Sequence, residues 1–267
     1  MKFEKIRFQF THQERVARLT LAAPKANILD LSMIRELDSA LSLCAGHELN
    51  AIVIAADGPH FSFGASVVEH LPDQIAGTLR ALNTLLRRIA EAPAPVIAAV
   101  RGQCLGGGFE LVLACDLILA DKTAQFASPE IKLAVFAPAA SVLLPIRVGL
   151  AVASRLLLTG AALSAEEAAR CGLVARCADD LDAALDGWLE SDFLPRSPSA
   201  LKYACQSARR PLLRALDEEL PQIEALYLND LMATPDPVEG IRAFLEKRAP
   251  QFARSPIMTT VITTGTK

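Results

Sequence analysis

Aromatic residues are scarce in this chain. One Trp, two Tyr and 11 Phe make up 5% of its 267 residues. No stripe of basic residues interleaved with aromatics is present, so there is no platform for stacking nucleic-acid bases. Charge of one sign is also missing. The net charge is −3, which gives no global positive field to draw in a polyanion, and any phosphate must be met by a few local groups. The six cysteines, at 44, 104, 115, 171, 177 and 205, form no CxxC pair. They read as reduced, mostly buried thiols of a cytoplasmic protein. No His/Cys cluster has metal-ligand spacing, so no metal is expected. Gly-x-Ser-x-Gly and Gly-Lys-Ser/Thr are both absent, which removes the serine-hydrolase elbow and the Walker loop. The apolar stretch 134–146 is too short to span a bilayer and contains Pro138 and Pro145. The start, Met1-Lys2-Phe3-Glu4-Lys5, mixes charges and does not read as a secretory signal.

What is present is an apolar, soluble composition, 52% hydrophobic and 21% charged, in a chain long enough for a large core. Residues 4–10 and 15–22 read as strands around the polar turn 11–14. The stripe Leu31, Ile34, Leu37, Leu41 predicts a helix over 31–44, and residues 72–91 repeat that spacing. The runs at 51–56, 95–100 and 117–120 are short and wholly apolar, as expected of strands covered on both faces. A helix is expected to start near Gly107. Alternating strands and helices make the first two-thirds α/β. Helices are expected at 164–171, 212–231 and 237–248, with connections at 179–182 and 195–199 and a loose tail over 253–267.

The segment Arg101-Gly102-Gln103-Cys104-Leu105-Gly106-Gly107-Gly108-Phe109-Glu110 follows a strand. Three glycines inside a helix would cost roughly 1 kcal/mol each relative to Ala. At a helix start they expose bare backbone, whose free N–H groups and dipole can hold an anionic oxygen. Tight packing against a neighbour would explain them equally well. Two further strand ends favour a site. Residues 60–66, His-Phe-Ser-Phe-Gly-Ala-Ser, follow the strand at 51–56, and Ala124-Gln125-Phe126-Ala127-Ser128-Pro129-Glu130 follows the strand at 117–120 and ends in a carboxylate. Backbone donors and a carboxylate delivered from three strand ends suggest convergence.

These segments resemble the crotonase, or enoyl-CoA hydratase/isomerase, family. The likeness is carried by Pro95-Val96-Ile97-Ala98-Ala99-Val100 with Gly102, Gly106-Gly107-Gly108, Glu110-Leu111 and Cys115-Asp116. It continues through Ala124–Glu130, Leu158-Thr159-Gly160, Ser164-Ala165 and Ala168, then Glu239-Gly240, Ala243-Phe244 and Glu246-Lys247-Arg248. It therefore covers the chain to about residue 252. The resemblance implies an α/β fold with a repeated ββα core (1–195) and a C-terminal helical trimerisation region (196–252). It implies an acyl-CoA substrate, with coenzyme A part of that substrate and no separate cofactor. It also implies a homo-oligomer, trimer or hexamer. By resemblance, the N–H groups of Ala65 and Gly107 form an oxyanion hole, Glu110 activates water and Glu130 protonates carbon. Without the motif, each glutamate reads more simply, Glu110 as a helix-start carboxylate and Glu130 as a surface loop acid.

Departures from the family pattern point to the substrate. Family hydratases commonly carry a Gly-Ala-Gly-Gly-like stretch where this chain has Pro138-Ala139-Ala140-Ser141, and Pro138 has no N–H to offer. Ser66 replaces a usual acid. Phe63, Phe136 and Ala137 are candidates to line a pocket for a bulky acyl group. Together, residues 61–67 and 135–141 resemble the branch of the family that acts on cyclic dienoyl-CoA thioesters of anaerobic aromatic degradation. Lys25, Phe63, Phe244 and Lys247 match positions that contact coenzyme A. His12, His47 and His60 read as exposed, inert turn or loop residues, and His70, next to the active loop, either borders the pocket or, as favoured, plays a structural role. The alternatives are an isomerase or ring-opening hydrolase using the same hole, and a non-catalytic RNA-binding family member.

Overall fold

β1 (Ile6–Thr11) and β2 (Val16–Leu21) pair as an antiparallel hairpin. The computed structural model describes residues 2–24 and 26–252, so Lys25 and the expected tail at 253–267 lie outside the described residues. Asp30 caps α1 (Leu31–Leu43), its carboxylate accepting from the Met33 N–H at 2.9 Å. β3 (Ala51–Ala56), α2 (Ile75–Ala90), β4 (Val96–Val100), β5 (Gln103–Leu105) and α3 (Gly107–Ala114) follow. Next come β6 (Leu117–Asp121), β7 (Gln125–Ala127), a 3₁₀ turn at Pro129–Leu133 and α4 (Pro138–Thr159). β8 (Ala162–Ser164), α5 (Ala165–Arg170), β9 (Arg176–Ala178) and α6 (Leu181–Trp188) complete the core. The C-terminal helices are α7 (Pro198–Ala208), α8 (Arg210–Arg214), α9 (Leu220–Ala225) and α10 (Asp236–Leu245), with π-helical turns at Ala215–Glu219 and Leu226–Leu231.

The main sheet has the order β1-β2-β3-β4-β6-β9, parallel from β2 onward. β5, β7 and β8 form a second, three-stranded sheet. The expected ββα repeat is visible in β1-β2-α1, in β4-β5-α3, and in β6-β7 leading through the 3₁₀ turn to α4. The apolar runs have a direct physical reason. Ile52, Ile54, Ala98 and Val100 face the main core, with α1, α2 and α3. Ala51, Val53, Ile97, Ala99 and Leu119 face a second cluster built on Leu181, Leu185, Trp188 and Phe193. Neighbouring strand residues point to opposite faces, so a sheet covered on both sides needs an uninterrupted apolar run.

The connections expected at 179–182 and 195–199 are corrected: α6 starts at Leu181 and α7 at Pro198. The single helix expected over 212–231 is instead α8 and α9 joined by wider π turns. The apolar stretch 134–146 opens a longer helix than its length suggests: α4 runs for 22 residues and is long and apolar enough, by length and composition alone, to cross a membrane. It is broken at Gly149 (φ 74°, ψ 160°), and its first half, with Ala139, Ala140, Leu143 and Leu144, is buried in the main core. Leu212, Leu216 and Leu220 join the same core, so the C-terminal helices pack onto the α/β layers. Arg209 fastens them there. Its guanidinium donates to Ala92 O (2.6 Å), Ala94 O (2.8 Å) and Asp116 Oδ1 (2.8 Å), a buried, charge-assisted set. All six cysteines are free thiols.

Candidate active site

Two loops are laced together by backbone hydrogen bonds. Phe61 N–H donates to Arg101 O (2.9 Å), Ser62 N–H to Gln103 O (3.0 Å) and Leu105 N–H back to Ser62 O (3.0 Å). The Ser62 hydroxyl donates to Asn27 O (2.7 Å) and accepts from the Gly64 N–H (3.0 Å). This zipper carries Ala65 to the start of α3. A Cβ placed on Gly107 would lie 3.3 Å from both the nitrogen and the Cβ of Ala65, so glycine at 107 lets the two backbones approach without displacement. Gly107 is the first residue of α3, where an N–H has no intrahelical acceptor. The Ala65 N–H has no acceptor among the described residues either. Two neighbouring amides thus lack a protein acceptor among the described residues.

Gly106 makes the next contact possible. It has φ +49°, a region L side chains avoid, and a Cβ there would meet Glu130 Oε1 at 2.5 Å. One turn into α3, Glu110 is 4% exposed, and its Oε1 accepts the Ala140 N–H at 2.9 Å. Glu110 therefore does face a helix dipole, but that of α4 rather than of its own helix. Glu130, in the 3₁₀ turn, has its Oε2 sealed from solvent with no hydrogen-bond partner among the described residues. Glu110, Glu130, Ala65 and Gly107 line one cavity of about 20 Å³, together with Phe136, Ala137, Pro138, Tyr227 and His70. That is room for about one water molecule.

Burial raises both carboxyls well above the ordinary carboxylate range. The amides at the start of α4 hold Glu110 back toward the ionised form, whereas the charge of Glu110 pushes Glu130 further up. The two carboxyls therefore titrate as a coupled pair, both held toward the protonated form. This arrangement opposes stability. Below the ordinary carboxylate pKa both folded and unfolded chains are protonated and nothing is lost. As pH rises the unfolded chain ionises first, and the penalty is complete above the raised values. Glu130→Gln should therefore raise the melting temperature at pH 9 by several degrees, for about 1–3 kcal/mol, with the gain vanishing near pH 4. Thermal scans across that range test it, and a pH-independent difference would contradict it.

From Ala65 the wall continues into an apolar groove of about 780 Å³ lined by Phe63, Ser66, Val68, Leu105, Lys132, Phe244 and Arg248. Phe63 and Phe244 are 41% and 55% exposed. Lys247, with φ +54°, is exposed just past α10 and is not in the groove wall. Phe136 and Pro138 belong to the acid cavity rather than the groove. Pro138 occupies the first turn of α4, where its lacking N–H costs the helix nothing. Among the described residues no group of His, Cys, Asp and Glu is placed to hold a metal ion.

Enoyl-CoA hydratase/isomerase sequences match this chain as a family over residues 11–255. The chain belongs to that family. Within it, the chain is 47% identical over 233 residues to the cyclohexa-1,5-dienecarbonyl-CoA hydratase of Thauera aromatica, spanning 87% of this chain and 90% of that protein. It is 36% identical over 250 residues to the 2,3-dehydroadipyl-CoA hydratase of Escherichia coli K12, spanning 91% and 96%. The fold superposes on an enoyl-CoA hydratase from Mycobacterium avium with a TM-score of 0.83 at 31% identity, covering 92% of this chain and 98% of that one.

Tyr227 and Thr78 in the cavity wall were not among the expected site residues, whereas His70, whose position near the loop allowed it to border the pocket, does line it. His70 Nδ1–H donates to Ser66 O at 2.8 Å, and burial lowers its pKa, so the ring is neutral. His60 is not inert, since its Nδ1 accepts the Gln103 N–H at 3.2 Å and braces the same loop pair. Tyr227 carried no local signal, because in its own segment it is one more apolar residue of a helical stripe.

Proposed function

We propose that this chain hydrates a conjugated acyl-CoA thioester in the cavity shared by Glu110 and Glu130. The single observation that carries the reading is that both buried acids open on one small space whose wall includes the amides of Ala65 and Gly107. The thioester oxygen is held by those two N–H groups. Glu110 takes a proton from water, the water oxygen bonds to the conjugated system, and the displaced electron pair moves onto the thioester oxygen. Glu130 then delivers its proton to carbon, and proton exchange between the acids resets the pair. Coenzyme A enters as part of the substrate along the groove, against Phe63, Ser66 and Phe244, with Lys25 and Lys247 as candidate phosphate partners.

A cyclic dienoyl group is the substrate we favour. Supporting this are the likeness to the Thauera hydratase, the replacement of a small glycine-rich stretch by Pro138-Ala139-Ala140-Ser141, and Phe136 and Ala137 beside the acids. A space of about 20 Å³ does not admit a ring, so the wall must yield when the acyl group enters. Purified protein should bleach the absorbance of cyclohexa-1,5-diene-1-carbonyl-CoA at least tenfold faster than that of crotonyl-CoA, the margin expected of pocket discrimination. Equal or reversed rates would reject the cyclic specialisation. Product mass separates the other chemistries, since hydration adds one water, isomerisation none, and ring-opening hydrolysis more.

The protein acts as a cytoplasmic homo-oligomer, trimer or hexamer, in this reading. Ile146, Leu150 and Leu158 on α4 are exposed apolar residues, as a subunit contact requires.

A further inference from the structure

Tyr227 sits in the π turn Leu226–Leu231, far along the chain from either acid, yet its ring is 1% exposed. The ring lies edge-on to Phe136, with centroids 5.2 Å apart and an interplanar angle of 77°, and packs with Ile75, Val135 and Ile241. That packing fixes where the phenol points. The hydroxyl is sealed from solvent and has no hydrogen-bond partner among the described residues. Buried hydroxyls are nearly always paired, so an orphan one needs a reason. Tyr227 lines the cavity of the two acids, and the other orphan atom in that wall is Glu130 Oε2.

A water that is to attack needs two partners besides the carbon it joins. A base must take one proton, and a donor must hold one lone pair so that the other points at carbon. Glu110 can be the base. Pro138, at the head of α4 in the same wall, can donate nothing, and the Ala140 N–H is already spent on Glu110. The Tyr227 phenol in the same wall is a buried donor with no partner among the described residues. Burial and the two nearby acids raise its pKa, so it keeps its proton.

We propose that Tyr227 is a third catalytic group, its phenol donating a hydrogen bond to the attacking water and holding it between Glu110 and the acceptor carbon. This rests on the hydratase reading above. It predicts that Tyr227→Phe, which keeps the ring and its packing on Phe136, lowers kcat by roughly 10- to 100-fold, the range for losing one such bond to a developing charge. KM should stay within about threefold, since the groove is untouched. Binding of butyryl-CoA, which has no double bond to hydrate, should be unchanged by calorimetry. The melting temperature should not fall, because the hydroxyl has no partner to lose. A kcat within twofold of the parent protein would overturn the proposal. So would parallel losses of kcat, butyryl-CoA affinity and melting temperature, which mark a packing role. If the parent protein hydrates neither crotonyl-CoA nor the cyclic dienoyl-CoA, the functional reading fails and this inference falls with it. An active parent with an equally active variant sinks this inference alone.

Discussion

Glu110→Gln and Glu130→Gln should each lower kcat by about 10³-fold, with KM changed only slightly. Glutamine keeps the shape of each side chain but can neither take the proton from water nor deliver one to carbon. The buried setting sharpens the effect, because no bulk solvent reaches Glu130 Oε2 to substitute for the missing acid. Glu110→Gln can still present its amide oxygen to the Ala140 N–H, so α4 should remain in place. The double variant should be little worse than either single one, as expected of groups that act as a unit. Loss of thioester absorbance under saturating substrate measures this, and near-normal turnover by either single variant would refute the assigned roles. The same outcome for Glu110→Gln, together with tight RNA binding, would revive the non-catalytic alternative.

The second large effect concerns backbone. Gly107→Pro removes one of the two free amides and should lower kcat by roughly 10²–10³-fold, the usual effect of losing one oxyanion donor. Proline at the first position of a helix is otherwise well tolerated, so α3 should still form. Gly107→Ala is the informative partner. It keeps the N–H, but its Cβ would sit 3.3 Å from Ala65, and a small displacement there spreads the two donors. The expected order of turnover is wild type, then alanine, then proline. An active proline variant of unchanged fold would show that the thioester oxygen is held elsewhere.

Some elements were legible for a physical reason. β3 and β4 are apolar throughout because both sheet faces are covered, by α1–α3 on one side and the Trp188 cluster on the other. α1 showed its stripe because one face stays wet. α4 did not, since its residues are apolar nearly all round, Pro138 and Pro145 read as breaks, and Gly149 interrupts it. α6 and α7 carried their start signals in plain sight: the Asp180 side chain accepts the Ala183 N–H, and Ser197 caps a helix begun by Pro198. Those residues also suit turns, and only the packing of Leu181 and Leu185 on the sheet decides between the two. The π turns at 215–219 and 226–231 leave no mark in a 3.6-residue pattern.

For the site, the family resemblance picked out the two loops, the helix start and both acids from short strand-turn segments, whereas spacing alone left the glycines and both glutamates open to plainer readings. At Gly106, with φ +49°, a side chain would run into Glu130 Oε1, and at Gly107 one would press on Ala65 at 3.3 Å. What a linear reading could not supply is which distant groups share the cavity. That the head of α4 stabilises Glu110, and that Tyr227 brings an unpaired phenol beside the acids, follow from how the C-terminal helices fold back onto the α/β core. Such contacts depend on the summed packing of many apolar residues, and no neighbour in sequence records it.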